Sequence, residues 1–272
     1  MSIAAQRGHS SNLVGVPTGL LASAAFNDYP LPLHIHGVHE SHPQLFRLLA
    51  KADSHAEAAK IFQDYMDDNF GLQQQNPEAD ATPVRRFRAS YLRLLKGWGF
   101  DANSREGAVI KGWAESRFGL FPTFHKSSLT RFASPAWSRY VEEKMASRFH
   151  NNDIYGQLDL LYEFCQWALT RWLRPGQHHV RLYRGVNDFS EDSLLQGQTH
   201  PRSGPAMVRM NNVVSFTADR SIACEFGDYI LEIPVPTAKI LFFNDLLPQH
   251  ALKGEAEYLA IGGDYCVTVS YL

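Results

Sequence analysis

The chain has 272 residues, of which 44% are hydrophobic and 12% aromatic, and its formal net charge is −2. This supplies enough apolar material for one large domain or two small ones, and it argues against a nucleic-acid-binding protein, which would carry a strong basic excess. The three cysteines, Cys165, Cys224 and Cys266, are far apart and form no CxxC pair, so they indicate buried thiols rather than a zinc or redox motif.

The segment 13–26 is uncharged and largely apolar, a composition shared by secretory signal peptides. Pro17 and two glycines interrupt it, and one basic residue, Arg7, precedes it, so we interpret it as part of the folded protein. No run approaches the roughly 20 apolar residues that a membrane-spanning helix needs. We therefore expect a soluble cytoplasmic protein.

Helical periodicity dominates the first two thirds of the chain. It predicts helices at 43–52, 56–69, 87–98, from residue 134 onward, and 153–172. Pro43 and Pro135 suit a first helical turn, and Ser134 suits an N-cap. The polar run 73–82 has no periodicity and predicts a loop.

The last third changes to short β-rich runs separated by turn residues. It predicts strands at 179–185, 212–217, 229–235, 239–243, 257–261 and 265–272. The pattern changes near residue 150, which divides the chain into a mainly helical region, 1–150, and a mixed region, 151–272. No linker separates them, so we expect an α+β protein whose two parts pack as one unit.

Three short segments of the mixed region carry residue types suited to binding a dinucleotide. Arg184 ends a predicted strand beside Gly185, and a guanidinium can grip phosphate oxygens. Ser215 and Thr217 alternate on a strand and so share one face, where hydroxyls could bind a carboxylate or a ribose. The paired carboxylates Glu255 and Glu257 could receive an arginine side chain. Taken singly, each segment is common enough to be an ordinary ion pair, strand hydroxyls or solvated glutamates.

The order Arg, Ser-x-Thr, Glu-x-Glu resembles the Arg-Ser-Glu class of mono-ADP-ribosyltransferases over 180–272. Ser215-Phe216-Thr217 stands where that class has Ser-Thr-Ser, and 223–227 and 230–235 look like the helix and strand that follow. The whole chain is similar to the family of dinitrogenase reductase ADP-ribosyltransferases. The similarity is carried by LHIHGV at 33–38, RFRASYLRLLKGWGF at 86–100, EGAVIKGW at 106–113, ESRFG at 115–119 and HNNDIY at 150–155.

The resemblance implies a split β-sandwich with a large helical N-terminal portion, and NAD⁺ as co-substrate without a prosthetic group or metal. It implies that Glu257 stabilises the oxocarbenium-like transition state, that Ser215 orients Glu257, and that Glu255 orients the acceptor guanidinium. The NAD⁺-binding residues would be Arg184, Gly185, Ser215, Phe216, Thr217 and Phe226. Region 151–272 would be the catalytic core, while 1–150 would recognise the protein substrate, dinitrogenase reductase, or a regulator, a PII signalling protein. Nucleic-acid and membrane partners are not expected.

Other functions stay open from the residues alone. An arginine-specific transferase with another target, or an NAD⁺ glycohydrolase, would need the same side chains. A non-catalytic NAD-binding module has no need of paired carboxylates, and a helical adaptor with an unrelated β-domain would not bind NAD⁺.

Four histidines, at 34, 36, 39 and 42, have no acidic or cysteine partner at ligand spacing, so they favour a packed or solvated loop over a metal site. The tryptophans, at helical spacing, favour core positions.

Overall fold

The computed structural model describes residues 7–72, 90–146, 152–189, 191–195, 203–248 and 257–272. Its helices are α1 (Thr18–Leu21), α2 (Ala24–Asp28), α3 (Val38–Ser41), α4 (Pro43–Leu49), α5 (His55–Phe70), α6 (Tyr91–Phe100), α7 (Arg105–Phe118), α8 (Pro135–Ala146), α9 (Asn152–Ala168) and α10 (Arg220–Cys224). A π-helical turn, Leu169–Leu173, continues α9. The predicted helices at 43–52, 56–69 and 153–172 are confirmed, as is the start at Pro135. The predicted loop 73–82 and the first residues of the predicted helix 87–98 lie outside the described residues.

Helix α5 begins and ends where its local sequence requires. The Ser54 hydroxyl accepts the backbone N–H of Glu57 at 3.2 Å, and the Glu57 carboxylate accepts the N–H of Asp53 at 2.8 Å. These two contacts form a capping box that satisfies otherwise unpaired donors. The helix ends at Gly71, whose φ of 59° is the left-handed conformation that glycine adopts without strain.

The sheet is antiparallel and contains most of the strands. They are β3 (His179–Val186), β4 (Ser193–Leu194), β5 (Ser203–Thr217), β6 (Tyr229–Pro236), β7 (Ile240–Phe243) and β8 (Glu257–Tyr271), and a separate two-stranded pair is formed by β1 (Phe124–His125) and β2 (Ser127–Ser128). The strand order is β4-β5-β3-β6-β8-β7, and β5 also pairs with β8. One edge of β8 therefore pairs with β5, while its other edge is divided between β7 and β6. Helices and an antiparallel sheet together confirm the α+β class.

The prediction of separate strands at 257–261 and 265–272 is wrong, because β8 runs through both. Gly262 and Gly263 look like a turn in the sequence, but they face a bulge in β5 between Met210 and Val213. A Cβ added at Gly262 would collide with the carbonyl oxygen of Asn211. Gly262 thus permits a close strand approach, while Gly263 has a φ of 114° and a Cβ there would meet the backbone of Ala22. The predicted strand 212–217 is likewise only the end of the longer β5.

One cluster of buried apolar residues joins the helices to the sheet. It extends from Val14 and Phe62 through Trp98 and Leu161 to Val269. The side chains from 1–150 and 151–272 therefore share a single interior.

Within the described residues, no helix combines the length and apolar character needed to cross a bilayer.

Candidate active site

Three strands meet at the point where the predicted site residues lie. Thr217 at the end of β5 pairs with Tyr183 of β3 on one side and with Glu257 of β8 on the other. Because directly opposed residues of an antiparallel pair point to the same face, Ser215 and Glu257 are diagonal neighbours on one face. Arg184 follows Tyr183 on β3, and its guanidinium reaches the backbone oxygen of Ser215 at 3.2 Å. This contact, together with the strand register, brings Arg184, Ser215 and Glu257 together.

A hydrogen-bonded chain of three side chains fixes the Glu257 carboxylate. The Ser215 hydroxyl donates to Oε1 of Glu257 at 2.6 Å. Trp98 of α6 donates its indole Nε1–H to the same hydroxyl oxygen at 2.8 Å. Since an indole nitrogen can only donate, the Ser215 oxygen accepts from Trp98, and its own hydrogen is directed to Glu257. A helix of the N-terminal region thus orients the hydroxyl that orients the carboxylate.

The guanidinium of Arg184 lies next to this chain. Its Nη1 donates to the backbone oxygen of Ser215 at 3.2 Å, and its Nε donates to Asp192 at 2.9 Å. Its Nη2 is 3.6 Å from Glu191. Burial disfavours the charged form, but Asp192 and Glu191 outweigh burial and raise the pKa of Arg184 above its ordinary value. Of its terminal nitrogens, Nη2 makes the loosest of these contacts, and it is the one best placed to exchange its partner for a phosphate oxygen.

Gly185 is required by packing as well as by any ligand. A Cβ there would collide with the carbonyl oxygen of Ala223 in α10, and a Cβ at Gly227 would collide with the backbone of Val186. The end of β3 and the segment after α10 therefore touch through their backbones. Phe226 lies in this segment with 53% of its surface exposed, so its ring is free to stack on a planar ligand.

Two residues of the Ser-Phe-Thr motif, Phe216 and Thr217, have structural roles. Phe216 is 3% exposed, and its ring is 6.3 Å from that of Tyr265, so its side chain belongs to the core. As an NAD⁺ contact, Phe216 can therefore offer only its backbone. The Thr217 hydroxyl accepts the N–H of Asp219 at 3.1 Å at the turn that leads into α10. Glu255 lies outside the described residues.

A buried lysine stands behind the site, and the sequence gives no signal for it. Lys111 of α7 is 1% exposed, and its ammonium donates to Asn103 at 2.9 Å and to the Phe124 carbonyl at 3.0 Å. Asn103 in turn donates to Glu191 at 3.2 Å, which completes a polar path to Arg184. Burial is the main cause that lowers the pKa of Lys111, to about 8.

The floor of the cleft is formed by the end of α6. A Cβ added at Gly99 would lie 3.6 Å from Oε2 of Glu257, so the backbone of α6 closes one side of the carboxylate. The next residue, Phe100, is 82% exposed. Sequence reasoning assigned Trp98 to the core and had no reason to single out Phe100, because neither position belongs to a motif of the mixed region. Only the packing of α6 against β5 and β8 gives them a place at the site.

Comparisons with known proteins identify the family of this chain. A family model described as dinitrogenase reductase ADP-ribosyltransferase (DRAT) matches residues 11–269. A protein of Rhodospirillum rubrum named NAD(+)--dinitrogen-reductase ADP-D-ribosyltransferase is 58% identical over 268 residues, which cover 97% of this chain and 96% of that protein. No solved structure matches the chain. The match of the family model over nearly the whole length shows that this chain belongs to the dinitrogenase reductase ADP-ribosyltransferase family.

Proposed function

We propose that this protein transfers ADP-ribose from NAD⁺ to an arginine of dinitrogenase reductase and thereby inactivates nitrogenase reversibly. The name of the 58% identical relative describes the transfer of ADP-ribose from NAD⁺ to dinitrogen reductase. The observation that carries the proposal is the orientation of Glu257 by Ser215, at 2.6 Å, in a site that also holds Arg184. A carboxylate held in this way suits a reaction that develops positive charge on a sugar.

The chemistry assigned to Glu257 follows from the bond that breaks. When the C1′–N bond of NAD⁺ breaks, its electron pair goes to the nicotinamide nitrogen, and nicotinamide leaves as a neutral base. The ribose then carries an oxocarbenium-like charge, as in glycoside hydrolysis. In the proposal, Glu257 accepts a hydrogen bond from the ribose 2′-hydroxyl and stabilises that charge. Ser215 and Trp98 hold the Glu257 carboxylate in the orientation that this requires.

Glu255 is proposed to act on the acceptor. An arginine is protonated at neutral pH and is a poor nucleophile until it loses a proton. A carboxylate beside it can orient the guanidinium and take that proton as the new C1′–N bond forms. This assignment rests on the Glu-x-Glu spacing, which places alternate residues of an extended chain on one face.

NAD⁺ would be held by the remaining residues of the cleft. Arg184 would use Nη2 for the pyrophosphate, and the Gly185 backbone would contact the nicotinamide amide. Ser215 and Thr217 would contribute polar contacts and Phe226 a stacking surface. The division of the outer edge of β8 between β6 and β7 supports the ADP-ribosyltransferase split β-sandwich as the finer description of the fold.

A regulator and a compartment complete the proposal. The resemblance implies a PII signalling protein as activator, and the helical region 1–150 is proposed to recognise it or the protein substrate. The cytoplasm is the expected compartment for both proteins and for NAD⁺.

The test is transfer to purified dinitrogenase reductase. The protein is incubated with NAD⁺ and the acceptor, and ADP-ribosylated peptides are identified by mass spectrometry. We expect modification of a single arginine, loss of the transfer in Glu257→Gln, and no loss in Glu232→Gln, which removes a carboxylate of β6 paired with Arg181 at 3.4 Å. Release of nicotinamide without modified acceptor would favour a glycohydrolase, while modification of other proteins only would favour a different target. Equal activity of Glu257→Gln and the unsubstituted protein would refute the catalytic assignment.

A further inference from the structure

A buried carboxylate outside the cleft is contacted by two histidines from a distant part of the chain. Glu163 of α9 has a side chain that is 0% exposed. Its Oε2 lies 2.9 Å from Nδ1 of His34 and 2.9 Å from Nε2 of His39. The three ligand atoms all lie within 4.8 Å of one another. The acidic partner that the sequence spacing of the histidines does not supply is thus provided by α9.

Neighbouring contacts orient the three side chains. The backbone N–H of Ile35 donates to Oε1 of Glu163 at 2.6 Å, which leaves Oε2 as the oxygen that faces the histidines. The ring of His39 stacks on Phe46 with centroids 3.7 Å apart. Supporting contacts of this kind are what fix the orientation of first-coordination-sphere ligands in metal sites.

The negative charge of Glu163 needs a cation. Among the ion pairs of the described residues, Glu163 pairs with His34 and His39, and with no lysine or arginine. The neighbouring acid on the same helix, Asp159, is satisfied separately by Arg117 at 2.7 Å. A fully buried carboxylate without a compensating charge is strongly unfavourable. Protonation of His34, whose pKa is raised by its hydrogen bond to Glu163, would supply one compensating charge. A divalent ion bound by two neutral imidazoles and this carboxylate would supply it instead.

We propose that His34, His39 and Glu163 bind one Zn²⁺ ion, a site distinct from the cleft that contains Glu257. Two imidazole nitrogens and one carboxylate oxygen are ligands that zinc accepts, with bonds of about 2.0–2.2 Å in a tetrahedral arrangement. Such bonds place ligand atoms about 3.3 Å apart. The two 2.9 Å contacts of Oε2 would then open by about 0.4 Å, and the two imidazole nitrogens, which lie within 4.8 Å of each other, would take up the same spacing. The side chains of His34 and His39 are 58% and 43% exposed, which leaves a path for a water molecule as fourth ligand.

The site would fasten the N-terminal segment to the sheet. His39 lies in α3, and His34 lies just before that helix. Helix α9 packs against β7 through Gln166, whose amide donates to the Ile240 carbonyl at 2.8 Å. The hydroxyl of Tyr162 already bridges the carbonyls of Leu33 and Ala238 at 3.2 and 2.8 Å. Zinc bound next to this bridge would stabilise the folded protein, because the unfolded chain does not bring the three ligands together.

Zinc binding is tested on untagged full-length protein that has been stripped of metal with a chelator. Isothermal titration with ZnCl₂ should give one ion per chain, and saturation should raise Tm by about 5 °C. His34→Asn and His39→Asn should each weaken binding by about 100-fold or more and abolish the rise in Tm. His36→Asn is the matched control, because this exposed histidine lies in the same segment outside the cluster, and it should bind zinc as the unsubstituted protein does.

Cobalt substitution and circular dichroism make the outcome decisive. Co²⁺ bound to the unsubstituted protein should show the visible absorption of a tetrahedral site, and this should be lost in His39→Asn while the far-ultraviolet circular dichroism is unchanged. The proposal is overturned if the unsubstituted protein binds no zinc, if His36→Asn weakens binding as much as His39→Asn, or if binding survives both ligand substitutions and is lost in Cys224→Ser. MgCl₂ should compete with zinc in none of these proteins, because imidazole ligands disfavour magnesium.

Discussion

Replacing Trp98 by phenylalanine removes the donor that holds Ser215 while it keeps an aromatic ring at the position. The hydrogen bond that is lost is 2.8 Å long and contributes about 1 kcal/mol net to stability. Trp98 is 4% exposed, so the smaller ring also leaves a small cavity, and we expect the free energy of unfolding to fall by about 2 kcal/mol in total. That loss can be read from denaturant unfolding.

The effect on catalysis should be separable from this loss of stability. Without the Trp98 donor, the Ser215 hydroxyl can still reach Glu257, but its orientation is no longer fixed. We expect kcat for ADP-ribose transfer to fall about tenfold, or about 1.4 kcal/mol, with KM for NAD⁺ nearly unchanged. Trp172→Phe is the control, because the buried indole nitrogen of Trp172 has no hydrogen-bond partner among the described residues.

A double-mutant cycle decides how Trp98 acts. If it acts through the Ser215 hydroxyl, Trp98→Phe should have no further effect on kcat in a Ser215→Ala background, which gives a coupling of about 1.4 kcal/mol. A tenfold fall in both backgrounds would mean that the two residues act independently. The reasoning from the hydrogen-bonded chain would then be refuted, and Trp98 would be a packing residue only.

Three further predictions test other parts of the molecule. Glu255→Gln should abolish transfer to the acceptor but spare part of the NAD⁺ hydrolysis, whereas Glu257→Gln should abolish both, as measured by nicotinamide release; equal residual hydrolysis in the two variants would contradict their separate roles. Phe100→Ala should lower kcat/KM for dinitrogenase reductase about tenfold without changing NAD⁺ hydrolysis, and Tyr29→Ala, which removes an equally exposed ring, should change neither. Burial lowers the pKa of Lys239 from 10.5 to about 7, so the unfolded chain binds the extra proton above pH 7 and the free energy of unfolding should rise with pH. Between pH 7 and 9 this rise is about 2 kcal/mol, and Lys239→Met should remove it from denaturant unfolding curves; an unchanged slope would show that Lys239 titrates near its ordinary value.

The sequence predicts those elements whose apolar spacing is regular. Helix α5 has both a capping box and a terminal glycine, and its predicted range of 56–69 is within one residue of the observed one at each end. Helix α7 escapes prediction because it is buried on several sides, and its buried positions include Gly107, Lys111 and Gly112, which leave no clear apolar stripe. The Gly262-Gly263 pair leads to a wrong prediction of a turn for a different reason. The neighbour that requires glycine at position 262, Asn211, belongs to another strand.

Some residues of the candidate site can be predicted from the sequence, and others cannot. Arg184, Ser215 and Glu257 stand in short motifs on strands, so their types and order are visible in the sequence. Trp98, at 2.8 Å from the Ser215 hydroxyl, is separated from it by 117 residues, and the stretch 86–100 that contains it gives no sign of a contact with Ser215. Glu163 and the histidines likewise come together only through the packing of α3 on α9. Contacts between distant segments depend on the whole fold, and a single sequence carries no local sign of them.

The position of Trp98 on α6 limits how far this enzyme can be shortened. A fragment beginning at residue 151 would retain every strand that bears the Arg, Ser and Glu residues, yet it would lack the indole and would expose the part of β5 that α7 now covers. Such a fragment should not serve as a minimal transferase. Transplanting the activity onto another scaffold would require the helical half to be carried along as part of the catalytic apparatus.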